Sequence, residues 1–349
     1  TLQDEKKIGL NIFKSLQKQN NIINDFLISD YITYLGNRLS RNLGTEREYT
    51  FFVTKSKSVN AFAVPGGFIG INAGLINLTQ NEAQLAGVLA HELGHVVLRH
   101  SAEMMAMSNV NSIPLWVGIF AGLLAGQTEA SIASIQSGIG LSVQNNINLV
   151  RENEIESDTF AAKLMQRANY DLNEMANFFR LMQGTSNSQS NSNEYFMTHP
   201  LYKNRISTIQ NRAKEQNNPM LNSSNDYFYI RNIVNNDISS SSRTKYRATD
   251  NDIENHRISL RLIKEGKYKQ ARDVLQDSFN KSNFNIYLAS TMSQIYWLDN
   301  KKNEARSILE DVLSIYPNKS ILIQLAMYNI KDRIKLEENI NSIERVIKN

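Results

Sequence analysis

The chain reads as a mostly helical α+β protein: a helical domain with a small β-sheet, then an α-helical repeat domain. Three observations predict this. Apolar residues at helical spacing surround His91-Glu92-Leu93-Gly94-His95. Ahead of that helix, two short apolar runs flank Pro65-Gly66-Gly67, a turn signal. Late in the chain a segment recurs at an offset of 34 residues. With 349 residues and 41% hydrophobic content, the chain can support two domains, 1–245 and 246–349.

Val59 to Val64 and Phe68 to Asn72 are the two strands. A strand lying beside the helix of the HExxH pentapeptide could bind an extended peptide by taking it as a further strand.

The helix that follows starts from Thr79-Gln80-Asn81-Glu82, where a hydroxyl precedes a carboxylate by three residues, as in a capping box. Leu85, Val88, Leu89, Val96 and Val97 form its apolar stripe, and Ala86, Gly87, Ala90 and Gly94 let neighbouring backbone approach. His91 and His95, four apart, lie about 40° apart around the axis and about 6 Å apart along it, so both imidazoles can face one cation. Glu92 projects beside that cation, where it can take a proton from a bound water. Imidazole and carboxylate ligands with an open position suit Zn²⁺, one per chain. His100, nine residues after His91, would sit about 180° round a continued helix and face away.

Ile113 to Gly126 is nearly unbroken in apolar character, but a spanning helix needs about 20 residues. It reads as a buried or membrane-surface helix, the place for any peripheral membrane contact. Arg151 to Asp158 then supplies carboxylates on a second helix. Glu154 and Asp158 are i and i+4, so one can bind metal while the other accepts the N–H of a ligating histidine. Glu152 and Glu156 belong to the solvated face. Residues 184–193 are polar and of low complexity, a loop ahead of His199.

Residues 216–250 are rich in Asn and Ser, which places the domain boundary near 245. Beyond it, Gly266 to Leu275 aligns with Asn300 to Leu309. The offset is the tetratricopeptide period, with Tyr268, Ala271 and Ala305 where that repeat places them, and residues 320–347 supply a third, degenerate unit. Stacked units of this kind form a concave surface for partners.

Four elements in this order resemble the zinc metallopeptidases of the HtpX and CAAX-prenyl-protein endopeptidase family, especially its soluble periplasmic BepA-like members. They are Asn60 to Gly67, the HExxH, the Arg151-x-x-Glu154-x-x-x-Asp158 block, and His199-Pro200 followed by Arg205. The resemblance covers about residues 1–215, and the repeats strengthen it. It implies a gluzincin-type site with zinc on His91, His95 and Glu154, Glu92 as general base and Asp158 behind the ligands. It places His199 near the metal, as a transient or fourth ligand, and assigns Arg205 to the oxyanion. It also implies a substrate groove along Asn60, Ala61, Phe62, Ala63, Gly66 and Gly67. The implied protein is a periplasmic endopeptidase, its signal peptide removed, for unfolded or misassembled outer-membrane proteins. Its repeats would hold substrate or the outer-membrane assembly machinery. The alternative is a chaperone or assembly adaptor with a mostly inhibited zinc site.

Composition limits the other classes. Without cysteine there is no disulfide framework and no thiol chemistry. The net charge of +4 is scattered, and no nucleic-acid motif accompanies it.

Overall fold

The computed structural model describes residues 1–41, 43, 47–107, 143–186, 193–202, 204–216, 223–238, 251–334 and 336–348. The segment 113–126, residues 187–192 of the polar loop and the expected boundary at 245 lie outside these residues. No helix among the described residues is long and apolar enough to cross a membrane.

The chain divides into two compact units, Thr1–Asn24 with Ile32–Ser224, and Asp25–Tyr31 with Asn225–Asn349. This division falls 20 residues before the expected boundary at 245. The reason is helix α10 (Asn225–Asp237), which packs on α11 (Asn251–Lys264) and so joins the repeats. The Asn- and Ser-rich composition had marked that stretch as a connection, although Tyr229, Ile230 and Val234 are core residues.

The first unit is built around a three-stranded sheet of order β1-β3-β2, with β1 at Thr50–Thr54, β2 at Ala61–Val64 and β3 at Phe68–Asn72. β2 and β3 are the expected hairpin, antiparallel with Ala61 opposite Ile71. Gly66 and Gly67 make its turn at φ 85° and 95°, a conformation that disfavours side chains. β1, not expected from the sequence, pairs parallel to β3. Its run Thr50-Phe-Phe-Val-Thr54, aromatic and β-branched, carried the signal. Helix α1 (Leu2–Lys18) covers the sheet with Ile8, Ile12 and Leu16 against Phe52 and Phe68.

The hydrogen bond from Asn72 N to Asn60 O marks the register of β2. Pairs alternate along an antiparallel ladder, so Phe62 bonds to β3 while the backbone groups of Ala61 and Ala63 point to the other side. The Asn60 side chain accepts from Ala61 N–H at 3.0 Å. β1 has Ile23 N–H donating to Val53 O along its own outer edge, whereas the outer edge of β2 has no strand partner among the described residues.

Helix α2 (Phe26–Ser40) precedes the sheet, and after α3 (Ala73–Leu78) helix α4 (Glu82–Val97) carries the pentapeptide. Its N-cap is Asn81, whose side chain accepts from Gln84 N–H at 2.9 Å. Thr79, the expected cap, instead closes α3 and donates to Ile76 O. The two short helices abut, and Thr79 is consumed by the first. Helices α5 (His100–Met107), α6 (Val143–Arg167), α7 (Leu172–Ser186), α8 (Asn193–Thr198) and α9 (Arg205–Lys214) complete the unit. Gly94 lets α4 and α6 approach: a Cβ there would lie 3.0 Å from Ser157 Cα.

In the second unit, α11 and α12 (Tyr268–Lys281), α13 (Ile286–Leu298) and α14 (Lys302–Ile315), and α15 (Lys319–Lys331) and α16 (Leu336–Lys348) form three successive helix pairs. The period is visible in single bonds. Ser259 Oγ donates to Ala271 O, and Ser293 Oγ to Ala305 O, each pair repeated 34 residues on. Gly266 and Asn300, also 34 apart, hold the left-handed conformation that turns each pair.

Candidate metal centre

Helix α4 delivers His91 and His95 on one face, and their Nε2 atoms stand 3.0 Å apart. Helix α6 crosses behind with Glu154, whose Oε2 lies 3.3 Å from His91 Nε2 and whose Oε1 lies 3.2 Å from His95 Nε2. The segment after α8 brings in His199. Its N–H bonds to Tyr195 O at 2.7 Å, and its Nδ1 reaches to 3.1 Å from Glu154 Oε1 and 3.3 Å from His91 Nε2. His91, His95, Glu154 and His199 thus direct one donor atom each at a common point.

Those donors fit a cation. Ligand atoms about 2.0–2.1 Å from a tetrahedral zinc stand about 3.3–3.4 Å from one another; five contacts within this group, counting both Glu154 oxygens, measure 3.0–3.3 Å, and one donor atom from each residue lies within 4.8 Å of the others. The charge is arranged for it as well. Burial opposes a charge on His91, but Glu154 and Asp158 outweigh it and hold this imidazole up at about 10. Burial prevails at His95 and pushes it down to about 4. Burial also works against the Glu154 carboxylate, yet His199 and His91 keep it well below the usual range. A cation at these donors would displace the proton that Glu154 and Asp158 hold on His91.

Glu92 lies beside the cluster and is completely buried. Neither of its carboxylate oxygens has a hydrogen-bond partner among the described residues, and His199 Nε2 is 3.4 Å from Oε1. A buried carboxylate left open in this way is costly as scaffold and available as a base.

Behind the donors, Asp158 Oδ1 lies 2.9 Å from His91 Nδ1. Arg205, expected at an oxyanion, is committed elsewhere. Its Nε donates to Asp158 Oδ2 at 2.7 Å and Nη2 to Oδ1 at 2.8 Å. Its Nη1 lies 2.7 Å from Glu154 Oε2 and donates to Pro200 O at 2.9 Å. Buried and ringed by carboxylates, the guanidinium fastens both acids and the His199 segment, with four of its five N–H groups directed at them.

His100 corrects another expectation. Helix α4 stops at the cap residue Leu98, and Arg99 takes a left-handed φ of 62°. The chain therefore turns back, and His100 Nδ1 comes to 2.9 Å from His95 Nδ1 instead of facing away. It joins the outer layer of the site, not the donor set. Asn60 and Ala61 are buried, while Phe62, Ala63 and Gly66 are partly accessible along β2 and its turn. Thr198, next to His199, donates weakly to Asn60 Oδ1 at 3.4 Å, which links the strand end to the donor cluster.

The profile of Peptidase family M48 matches residues 29–213, which hold every one of these donors. The chain belongs to peptidase family M48. It is therefore a metallopeptidase, and M48 members depend on a metal. It is 28% identical over 350 residues to the beta-barrel assembly-enhancing protease of Yersinia pestis, covering 94% of this chain and 70% of that protein. The Escherichia coli K12 protein of that name is 27% identical, with 93% and 70% covered. The mitochondrial metalloendopeptidase OMA1 of Schizosaccharomyces pombe is 26% identical over 217 residues, 60% of this chain and 61% of that protein.

Proposed function

We propose that the chain is a zinc endopeptidase that cleaves unfolded or misassembled proteins, with outer-membrane β-barrel proteins as its substrate class and the periplasm as its compartment. The observation that carries this reading is the convergence of four donors, three of them buried and His95 half-buried, beside the open carboxylate of Glu92. His91, His95 and Glu154 would hold the ion, with His199 at the fourth position. When bound, zinc supplies a Lewis acid that makes water more acidic and polarises a carbonyl. Glu92 takes the proton of the attacking water and returns it to the leaving amine. Asp158 fixes the His91 ring, and Arg205 holds Asp158 and Glu154 in register.

Substrate enters as an extended strand on the outer edge of β2, where Ala63 offers its N–H and both Ala61 and Ala63 offer C=O. Recognition through backbone groups favours unfolded segments over particular sequences. The name of the bacterial relatives supports the link to β-barrel assembly. The helix pairs of the second unit give substrate or assembly machinery a repeat surface, and residues 113–126 a peripheral membrane contact.

One observation favours a second reading, an assembly adaptor with an inhibited site: His199 lies where water or substrate would enter. Zinc content and casein cleavage test the enzyme reading. Wild type should carry one zinc and cleave casein, and Glu92→Gln should keep the zinc and lose cleavage. A Glu92→Gln protein cleaving at the wild-type rate would remove Glu92 from this role.

A further inference from the structure

The two histidines of the pentapeptide are seated differently. His91 Nδ1 meets the carboxylate of Asp158 at 2.9 Å, but His95 Nδ1 meets a third histidine, His100, also at 2.9 Å. A neutral imidazole that presents Nε2 to a cation carries its hydrogen on Nδ1. His95 must then donate to His100, and His100 must accept through its own Nδ1. That choice leaves the hydrogen of His100 on Nε2, which lies 3.3 Å from Glu156 Oε2. The three groups form one directed chain: His95 Nδ1–H to His100, and His100 Nε2–H to Glu156.

The geometry points to His100 as the positioning residue of His95, tying it to the carboxylate of Glu156 at one remove, as Asp158 ties His91 directly. This rests on the metal-site reading above. His100 is buried and the Glu156 side chain is 62% exposed, so the relay runs from the donor cluster to the surface of α6. Ser157 Oγ, 3.4 Å from His100 Nδ1, is the other polar group on that nitrogen, and its hydroxyl is free to turn.

The fold is arranged to make this contact. A continued α4 would carry His100 to the opposite face. The left-handed Arg99 reverses the chain, and its Nε donates to Glu5 Oε1 on α1 at 3.1 Å, which anchors the turn. Groups that orient a ligating histidine typically govern metal affinity by about 10–100-fold.

The test is zinc affinity by chelator competition on the full chain, with the urea midpoint of the metal-free protein measured alongside. His100→Leu removes the acceptor and should bind zinc at least about 10-fold more weakly. His100→Asn places an oxygen near the position of Nδ1 and should recover most of that loss. Glu156→Gln should fall between wild type and His100→Leu. Wild-type affinity in His100→Leu, or an Asn variant as weak as Leu, would overturn the assignment. Should His100→Leu fail to fold, Glu156→Gln decides, and unaltered affinity there overturns the relay. A wild-type chain that binds no zinc would instead overturn the metal-site reading itself, so the two failures are distinct.

Discussion

His91 Nδ1 and Asp158 Oδ1 stand 2.9 Å apart across the α4–α6 contact, and the same carboxylate is gripped from behind by Arg205 at 2.7 and 2.8 Å. Asp158 is thus shared between a donor histidine and a buried cation. Its carboxyl stays below the usual range: burial opposes the charge, and Arg205 with His91 overcomes it.

Removing that carboxylate should cost stability as well as metal. Asp158→Ala leaves the Arg205 guanidinium buried with only part of its partners, a change that typically costs about 3–5 kcal/mol. Urea unfolding of the metal-free protein would measure it. Arg205→Met added to the same background should recover part of the loss, and a larger loss in the double variant would refute the pairing.

His199 should restrain the site. Its Nδ1 lies 3.3 Å from His91 Nε2 and 3.1 Å from Glu154 Oε1, so on the proposed reading His199→Ala should keep zinc on the remaining three donors and cleave casein faster. The gain would report how seldom His199 stands aside in the wild type. A slower, zinc-poor variant would make His199 a required ligand.

The outer edge of β2 can be tested by one hydrogen bond. Ala63→Pro removes the outward N–H, and proline is tolerated on edge strands. KM for an unfolded substrate should rise while zinc affinity stays at the wild-type level. An unchanged KM would place the substrate elsewhere.

A pH prediction concerns the second unit. His256 is fully buried between Thr291 and Asn232, and burial pushes its pKa down to about 3. Below about 6.5 the unfolded chain binds a proton that the fold refuses, so stability falls as pH drops from there toward 3. Between pH 7 and pH 5 the loss should be about 2 kcal/mol. His256→Gln should lack that part of the slope in urea titrations, and an equal slope in both proteins would disprove the assignment.

Much of the site could be read from spacing. His91, Glu92 and His95 share a helix, and Glu154 and Asp158 are one turn apart on another, so local geometry was enough to group them. The 34-residue period is likewise local, and it reappears in the Ser259–Ala271 and Ser293–Ala305 bonds. β1 went unread because a single apolar run shows no partner until β3 pairs with it. The division at Ser224 lies ahead of the expected boundary at 245 because polar composition concealed the buried face of α10.

By itself, the sequence determined the helices, the hairpin turn, the donor types and the repeat, all set by interactions within a few residues. Only the tertiary structure decided which donors meet and what the charged groups beside them do. Arg205 became a clamp because two buried carboxylates reach it first. His100 came to His95 because one left-handed residue ended the helix. The first outcome turns on distances between elements far apart in the chain, and the second on one local φ whose residue is anchored to Glu5 on α1; spacing along one element contains neither.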